Sequence, residues 1–433
     1  MTPVVAGVLG TLILLLLFIT AMPVAYSMAL VGFAGFAYVI NLNAALNLVA
    51  RDIYSVFSSF GLTVIPLFIL MGQIAYNAGI SRRLYDCAHK LLGSTKGGLA
   101  AATVAACTAF GAVCGSSPAT AATMAVVGLP EMKRYKYGDA LATGAVAAGG
   151  SLGMLMPPSV VMIIYGILTE QSIGQLFIAA IVPAIYMTAW FCAAIWAYCR
   201  KYPEEGPAGE KYTIKEKLLA LFELWETLTV FGMVMLGLLT GVFTPTEAGA
   251  VGAALILALA ILRRQITWRG VMKSFYETVR TSCMVLFLIA GATLFGHFLA
   301  VTRIPFEMAG WIGGMDLPSW AIMGLIILLF LIGGCFIDAM ALVMLTIPIF
   351  YPIVVELGYD PIWFGVMIVL ISQMGVITPP VGINVYVVQG IATEVPLQTI
   401  FKGAMPFLVA LILGTASLVA FPQIVTFFPS LFQ

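Results

Sequence analysis

Two stretches of this sequence carry oxygen atoms that could bind a cation within apolar surroundings. The first contains the hydroxyl side chains of Ser116, Ser117 and Thr120. The run from Gly153 to Ser159 belongs to the same half of the chain, and its two adjacent prolines stop a helix and leave backbone carbonyl groups free. The second stretch contains Asp338, the one acid in a long apolar segment. Sodium prefers carbonyl, hydroxyl and carboxylate oxygens, so the pattern predicts sodium binding.

Asp338 allows two interpretations. An acid inside an apolar span is costly and indicates an ion pathway, whereas an aspartate that caps a half-helix explains the position without an ion. Glu247 in the segment TPTEAG is typical of a capping box that starts a helix. Gly241 and Thr244, just before it, are better placed than Glu247 to offer oxygen atoms to a site.

The composition requires these groups to lie in a membrane protein. Of the 433 residues, 62% are hydrophobic and 9% are charged, and the mean hydropathy is +1.07. This predicts an all-α polytopic membrane protein. The net charge of +1 does not indicate nucleic acid as a partner. The seven cysteines form no CxxC pair, and the two histidines are too few for a histidine-based metal site.

The segment 97–130 lacks ionisable acids and bases, yet basic residues flank it on both sides. Both of its ends are therefore predicted on the cytoplasmic side. Two full crossings need about 20 residues each, and the centre AFGAVCGSSPAT interrupts any helix. A re-entrant helical hairpin is the economical interpretation, because irregular backbone at this depth must lie within protein or face a polar cavity. Two short spanning helices with a glycine-rich packing face are the alternative.

The second half of the chain repeats the first. Pro245 follows Pro23, Pro352 follows Pro130, and Pro379 follows Pro157, each by 222 positions. At the same offset Asp338 corresponds to Ser116. An odd number of crossings separates the halves, which therefore have opposite orientations in the membrane. Two inverted repeats, each with a re-entrant hairpin and a helix broken at Pro-Pro, are the plan of secondary transporters.

The predicted organisation follows from these landmarks. Half-helix N-termini at the hairpin tips could hold an anion without a buried lysine or arginine. We expect the N-terminus to face the periplasm, and we expect helices lying on the membrane surface near 43–60 and 215–225.

The predicted segments are an N-terminal scaffold helix (1–22), a first repeat (23–199, with hairpin 97–130 and broken helix 138–168), an amphipathic linker and scaffold helix (200–243), a second repeat (244–423, with hairpin 317–355 and broken helix 361–391) and a C-terminal tail (424–433).

Five ordered motifs resemble those of one transporter family. They are GSSPATAATM, LMPPSVVMIIYG, GVFTPTEAGAVGA, FIDAMALVMLTIPIFYPIV and GVITPPVGINVYVVQGIA. Together they are similar to the large membrane subunit of the tripartite ATP-independent periplasmic (TRAP) transporters, over nearly the whole chain. The resemblance implies an elevator-type sodium symporter of the bacterial inner membrane. It also implies two partners, a small four-helix membrane subunit and a periplasmic substrate-binding protein, and a small organic acid as substrate, such as a C4-dicarboxylate or a sialic acid.

The resemblance also assigns residues to sites. One sodium ion is expected between the first tip and the first break, and a second is expected at Gly241 and Thr244, with Asp338 and Thr378 nearby. The substrate is expected between the tips, and the small subunit is expected as a separate chain. The residues expected to bind sodium are Ser116, Ser117, Gly153, Met156, Pro157, Gly241, Thr244, Asp338 and Thr378, and those expected to contact substrate are Thr120, Ser159 and Asn384.

Other classes of protein fit less well. A stand-alone sodium/dicarboxylate elevator symporter typically carries Ser-Asn-Thr hairpin tips, which this sequence lacks. An intramembrane enzyme would need a motif such as HExxH or an Asp-rich metal pair, and neither occurs. A passive channel would need rings of like charge or a repeated filter. The sequence also lacks GxxxxGK[ST], which argues against ATP as the direct energy source.

Overall fold

The computed structural model describes residues 2–20, 22–305, 307, 310 and 318–431, and the regular secondary structure of these residues is entirely helical. Five helices are long and apolar enough to cross a membrane, or up to seven if each of two bent pairs forms one span. The predicted all-α polytopic membrane fold is confirmed. In chain order the helices are α1 (Pro3–Ile19), α2 (Val24–Val39), α3 (Leu42–Ser58), α4 (Val64–Asn77), α5 (Ile80–Leu92), α6 (Gly98–Cys114), α7 (Ser117–Arg134), α8 (Asp139–Leu152), α9 (Val160–Thr169), α10 (Ile173–Lys201), α11 (Ile214–Glu223), α12 (Trp225–Leu239), α13 (Pro245–Leu262), α14 (Trp268–Thr302), α15 (Ser319–Gly334), α16 (Ala339–Glu356), α17 (Pro361–Gly375), α18 (Ile383–Ile391), α19 (Leu397–Ala420) and α20 (Gln423–Leu431).

Each half of the chain contains a helical hairpin followed by a broken helix. Hairpin 1 consists of α6 and α7, and its tip is the pair Gly115 and Ser116. Break 1 separates α8 from α9 and contains Pro157 and Pro158, which cannot continue a helix. Hairpin 2 consists of α15 and α16, joined by the tip 335–338, and break 2 (376–382) separates α17 from α18. Leu317, the first residue of the hairpin predicted at 317–355, lies outside the described residues.

The two hairpins open toward opposite ends of the molecule. At the end of α7, the Nζ atom of Lys133 lies 2.8 Å from Oε1 of Glu394, which follows α18. At the other end, the side-chain amide of Gln171, which follows α9, donates to the hydroxyl of Tyr351 in α16 at 3.0 Å. Hairpin 1 therefore opens at the end where the second broken helix finishes, and hairpin 2 opens where the first one finishes. This is an inverted arrangement of the two repeats.

One end of the molecule is strongly basic, and we call it the basic face. It carries Lys133 and the end of α10 with Arg200. Arg83 of α5 and Arg263 after α13 both contact the buried carboxylate of Glu226 at the start of α12, with Nη1 of Arg83 at 3.4 Å. Because that carboxylate is only 5% exposed, it needs positive partners to remain charged. The pair of arginines thus joins the ends of α5, α12 and α13.

The helices pack in two groups that meet along a limited surface. The scaffold group consists of α1 to α4 and α12 to α14, in which α14 packs on α2 and α4 packs on α13. The core group consists of both hairpins and both broken helices together with α10 and α19. Contacts between the groups run through α4, which packs on α6 and α9, through α14, which packs on α16, and through α12, which packs on α10. The hairpin tips lie at this junction.

Several elements differ from the sequence-based expectation or refine it. The helix α14 has 35 residues and is about 52 Å long at 1.5 Å per residue. The segment predicted as a C-terminal tail (424–433) contains α20, as far as Leu431. The predicted surface helices are α3 and α11, which bend by 57° and 52° from the helices that follow them. The bends separate amphipathic segments from apolar ones.

Candidate transport site

A cavity of about 290 Å³ lies between the two hairpin tips and the scaffold helices α4 and α14. Both tips contribute to its wall, hairpin 1 with Ser116 and Ser117 and hairpin 2 with Asp338. The remaining side chains are mostly apolar. No lysine, arginine or histidine is among the residues that line it in the described part of the chain. The further lining residues are Ile69, Gly72, Gln73, Cys114, Gly115, Pro118, Ala119, Met154, Val160, Val161, Thr281, Met284, Val285, Ala339, Met340 and Val376.

The tip of hairpin 1 is held by a side chain from the other repeat. The hydroxyl of Ser117 donates to Oδ1 of Asn384 at 3.0 Å, and the Nδ2 group of Asn384 donates to the carbonyl of Ala147 at 2.9 Å. Asn384 is fully buried and does not line the cavity. The structure therefore places this predicted substrate residue behind the tip, where it joins α18 to α7 and α8.

The start of α7 faces the cavity without a side-chain cap. Ser116 is the N-cap residue, and its extended backbone ends the tip, but its hydroxyl accepts no hydrogen bond from the helix. The first N–H groups of a helix lack intrahelical partners and attract anions. Ser116 and Ser117, which were predicted from the sequence, thus bring a helix N-terminus and hydroxyl oxygens to one wall of the cavity.

The tip of hairpin 2 carries an acid at the equivalent place. Asp338 is the N-cap residue of α16, and its Oδ2 atom accepts from the N–H of Met340 at 3.0 Å. The side chain also lines the cavity, so Asp338 caps α16 and faces the cavity at the same time. Break 2 is attached to this tip, because the N–H of Val381 donates to the carbonyl of Cys335 at 3.3 Å. In the same region the hydroxyl of Thr378 donates to the carbonyl of Met374 at 2.5 Å.

Break 1 packs tightly against hairpin 1. A Cβ atom added at Gly111 would lie 2.6 Å from the Cα atom of Gly153. The two backbones are therefore so close that only glycine fits at this position. A Cβ atom added at Gly153 would overlap the hydroxyl of Thr120. That hydroxyl is fully buried and has no hydrogen-bond partner among the described residues. Thr120, predicted as a substrate contact, instead directs an unpaired oxygen at the break.

The remaining predicted residues occupy different positions. Pro157 is buried and Met156 half-buried within break 1. Ser159 is buried and caps α9 by accepting from the N–H of Met162 at 3.4 Å. Gly241 and Thr244 lie in an exposed turn before α13 and do not line the cavity. Thr244 and Glu247 form a capping box, which confirms the predicted helix-start role of Glu247.

Sequence reasoning missed polar residues that the fold brings to the site. Gln73 and Thr281 line the cavity from α4 and α14, which belong to the scaffold. A side-chain amide in the middle of the apolar helix α4 was an available signal for Gln73. Ser372 and Gln373 in α17 are fully buried, and their side-chain polar atoms have no partner among the described residues. Both residues lie just before break 2, so unpaired polar atoms lie beside that break. The hydroxyl of Thr120 is the corresponding unpaired atom beside break 1.

These features define a class of protein. Two inverted hairpins and two broken helices around a cavity between a scaffold and a core are the architecture of a membrane permease of the secondary-transporter type. The family model described as the tripartite ATP-independent periplasmic transporter, DctM component, matches residues 11–424. The chain belongs to this family, and it is an inner-membrane permease component rather than an enzyme.

Relatives support the same assignment. The chain is 35% identical to the C4-dicarboxylate TRAP transporter large permease protein DctM of Pseudomonas aeruginosa, over 88% of this chain and 87% of the relative. It is 32% identical to the sialic acid TRAP transporter large permease protein SiaM of Vibrio cholerae, over 96% of each chain. The isethionate TRAP transporter permease protein DctMQ of Oleidesulfovibrio alaskensis is 32% identical over 95% of this chain and 65% of its own length.

A solved structure supports the fold alone. The Alcanivorax borkumensis YdaH transporter superposes with a TM-score of 0.65 at 14% identity, and the match covers 88% of this chain and 90% of that one. The topology of that transporter is described as unusual. Membership of the TRAP family places the chain in a tripartite system that also contains a small membrane subunit and a periplasmic binding protein.

Proposed function

We propose that the chain is the permease for sodium-coupled uptake of a small organic acid delivered by the periplasmic binding protein. The observation that carries this proposal is the cavity on which both hairpin tips meet, with hydroxyl groups and an uncapped helix N-terminus on one side and Asp338 on the other. The names of the three relatives refer to C4-dicarboxylate, sialic acid and isethionate, which are all organic anions. The uncapped start of α7 is suited to a substrate carboxylate or sulfonate.

Sodium would compensate for the absence of a basic side chain in the cavity wall. The first ion would use the hydroxyls of Ser116, Ser117 and Thr120 with backbone carbonyls from Gly153 to Pro157. The unpaired hydroxyl of Thr120 beside Gly153 supports this position over a substrate contact. Such a site would depend on hairpin 1 and break 1 staying together, and binding of the ion would order both.

The second ion would use Asp338 and Thr378. The sequence-based expectation was that Gly241 and Thr244 would bind this ion, with Asp338 and Thr378 nearby, but Gly241 and Thr244 lie in the exposed turn before α13 and outside the cavity wall. The proposed second position therefore rests on the tip of hairpin 2 and on break 2. Asp338 would contribute the one full negative charge, which a sodium ion in apolar surroundings needs to balance its own.

The substrate would cross by an elevator movement of the core group against the scaffold group. The cavity lies at the junction of the two groups, where α4 and α14 supply an apolar wall with residues such as Ile69 and Met284. An apolar wall without ion pairs offers little resistance to sliding. We infer that the basic face is cytoplasmic, from the distribution of arginine and lysine, and that the N-terminus is periplasmic.

The test is uptake into proteoliposomes that contain this chain and its small subunit. Radiolabelled succinate, sialic acid and isethionate would be supplied with and without an inward sodium gradient and with and without the cognate binding protein. The proposal expects uptake only when both are present. Uptake that does not depend on the sodium gradient would contradict the proposal that sodium is the coupling ion. Sodium-driven uptake without the binding protein would contradict the proposal that the binding protein delivers the substrate.

A further inference from the structure

A second cavity, of about 200 Å³, lies on the basic face and away from the transport site. It is formed where the turn before α6 meets the last turns of α10. Its wall consists of Lys96, Trp196, Cys199, Arg200 and Pro203. The cavity therefore lies at the end of an apolar span, at the level where lipid headgroups contact a membrane protein.

The cavity carries two positive charges that the protein leaves unneutralised. Lys96 and Arg200 are both exposed and come from distant parts of the sequence, and neither forms a salt bridge within the described residues. The guanidinium of Arg200 lies over the ring of Trp196, 5.5 Å from its centroid. This contact orients the guanidinium and leaves its charge available.

The acids next in sequence do not supply the missing partner. The carboxylate of Glu205 is directed at Gly138, where it would overlap an added Cβ atom. The backbone carbonyl of the same residue accepts from the N–H of Gly138 at 2.9 Å, which holds it there. Glu204 is exposed and forms no ion pair in the described part of the chain. The two cations thus face an anion that comes from outside the protein.

An apolar track leads from this cavity into the membrane. Ile185, Ala189 and Ala193 are exposed on α10 at intervals of four residues, so they form one stripe that continues to Trp196. Ile185 is 58% exposed and Trp196 61% exposed. The two alanines leave a shallow channel between these larger side chains. Tryptophan beside a basic residue is the usual pattern at a membrane interface.

The geometry points to a binding site for an anionic phospholipid. Its phosphate would lie between Lys96 and Arg200, its glycerol next to Trp196 and one acyl chain along the alanine stripe. Basic pockets at helix ends on the cytoplasmic side are suited to lipid phosphates. A soluble anion would need only the two cations, whereas the apolar stripe is specific to a ligand with a hydrocarbon chain. Lys96 directly precedes hairpin 1, so the lipid contacts the base of that hairpin.

The test compares lipid binding to two matched variants of the purified complex of this chain with its small subunit. One variant carries Lys96→Gln and Arg200→Gln. The other carries Lys211→Gln and Lys215→Gln, which remove the same charge from exposed positions on the same face outside the cavity. Native mass spectrometry after delipidation would follow titration with phosphatidylglycerol or phosphatidylcholine. We expect the first variant to lose one bound phosphatidylglycerol, with at least about tenfold weaker binding, while the control binds as the wild type does.

Three outcomes of these measurements would contradict the proposal. Equal binding of phosphatidylglycerol to the first variant and the wild type would overturn it, and so would equal binding of phosphatidylcholine and phosphatidylglycerol to the wild type. Inorganic phosphate that gives the same thermal stabilisation as phosphatidylglycerol would identify a free anion site instead. If the glutamine variant does not fold, Ala189→Trp serves as a second variant, because it fills the apolar track and leaves both charges in place.

Discussion

At the scale of single residues, Asp338 has two roles that can be separated by chemistry. One carboxylate oxygen caps α16, and the side chain also faces the cavity. An asparagine retains an oxygen that can cap the helix but has no charge for a cation. The capping role therefore tolerates Asp338→Asn, whereas an ion-binding role does not.

We predict that Asp338→Asn raises the sodium concentration for half-maximal uptake by at least about tenfold, the equivalent of about 1.4 kcal/mol. The measurement is uptake as a function of sodium concentration in proteoliposomes, with the binding protein in excess. Glu247→Gln is the matched control, because Glu247 also belongs to a helix start but is exposed and lies outside the cavity. An unchanged sodium dependence in Asp338→Asn would remove this residue from the ion site.

Asn384 supports a prediction about stability rather than substrate. We expect Asn384→Ala to leave the buried Ala147 carbonyl and Ser117 hydroxyl without their partner and to lower the free energy of unfolding by about 1–3 kcal/mol. Thermal unfolding of the purified protein, followed by intrinsic fluorescence, gives the shift. Asn47→Ala on the exposed face of α3 is the control. If Asn384→Ala and Asn47→Ala both unfold at the same temperature as the wild type, the hydrogen bonds of Asn384 do not stabilise the tip of hairpin 1.

The sequence identified some site residues and missed others for a physical reason. Ser116, Ser117 and Asp338 were predicted because they interrupt apolar runs, and a local interruption is visible in a sequence. Gln73 and Thr281 reach the same cavity only because the scaffold packs on the tips, and single-residue patterns do not encode that packing. The same limit explains Asn384, whose partners lie 237 and 267 positions away.

At the scale of elements, close backbone contacts between each hairpin and its neighbouring break determine the local geometry. Gly111 lies against Gly153 in the first repeat, and a Cβ atom added at Gly375 would overlap the backbone of Gly334 in the second. Glycine is needed at these crossings because any side chain separates the two backbones. The contacts keep each break beside its tip.

We therefore predict that Gly111→Ala pushes α6 away from break 1, lowers the free energy of unfolding by about 1–3 kcal/mol and weakens sodium dependence together with it. Gly232→Ala in α12 is the control, because an added Cβ atom there meets nothing within 4 Å. The two variants would be compared by thermal unfolding with and without sodium. A Gly111→Ala protein that sodium stabilises as strongly as the wild type would show that the first ion does not bind at this crossing.

Element boundaries were predictable where proline and glycine determine them. As predicted, α6 begins directly after Gly97 and α17 begins at Pro361, whereas α7 continues through Pro130 to Arg134. The helix α20 was not predictable in this way, because it forms where a tail was expected. Helix ends without a proline or glycine depend on tertiary packing, and local sequence does not specify them.

At the scale of the whole molecule, an elevator movement requires α4 to slide past hairpin 1. The native residue Cys114 lies at the tip of that hairpin, and a Cβ atom added at Gly72 of α4 would lie 3.1 Å from its Cα atom. A cysteine at position 72 would contact Cys114, and a disulfide between the two would join the scaffold to the core.

We predict that oxidation of a Gly72→Cys variant reduces uptake to background and that reduction restores it. Mass spectrometry would confirm the disulfide, and the same variant with Cys114→Ser would serve as the control that remains active under oxidation. Full uptake by a protein in which the disulfide has formed would contradict the sliding movement. Because Gly72 and Cys114 both line the transport cavity, sodium-dependent thermal stabilisation of the oxidised protein is measured as well, to distinguish a blocked movement from a blocked cavity.

The repeat offset of 222 positions allowed the overall architecture to be predicted from the sequence, since aligned prolines indicate two copies of one plan. The pairing of helices within the scaffold was not predicted. The packing of α2 on α14 and of α4 on α13 has no local signature, because side chains that face lipid and side chains that face a helix are equally apolar.

The bent helices α3 and α11 have a mechanical consequence. Each precedes a scaffold helix, and the two lie at opposite ends of the molecule, α11 at the basic face and α3 at the other. A core that travels through the bilayer exerts a reaction force on whatever surrounds it. Amphipathic arms resting on both leaflets would transmit that force to the lipid surface and keep the scaffold at constant depth. Membrane thickness and stiffness would then belong to the transport machinery and influence turnover as directly as any residue of the cavity.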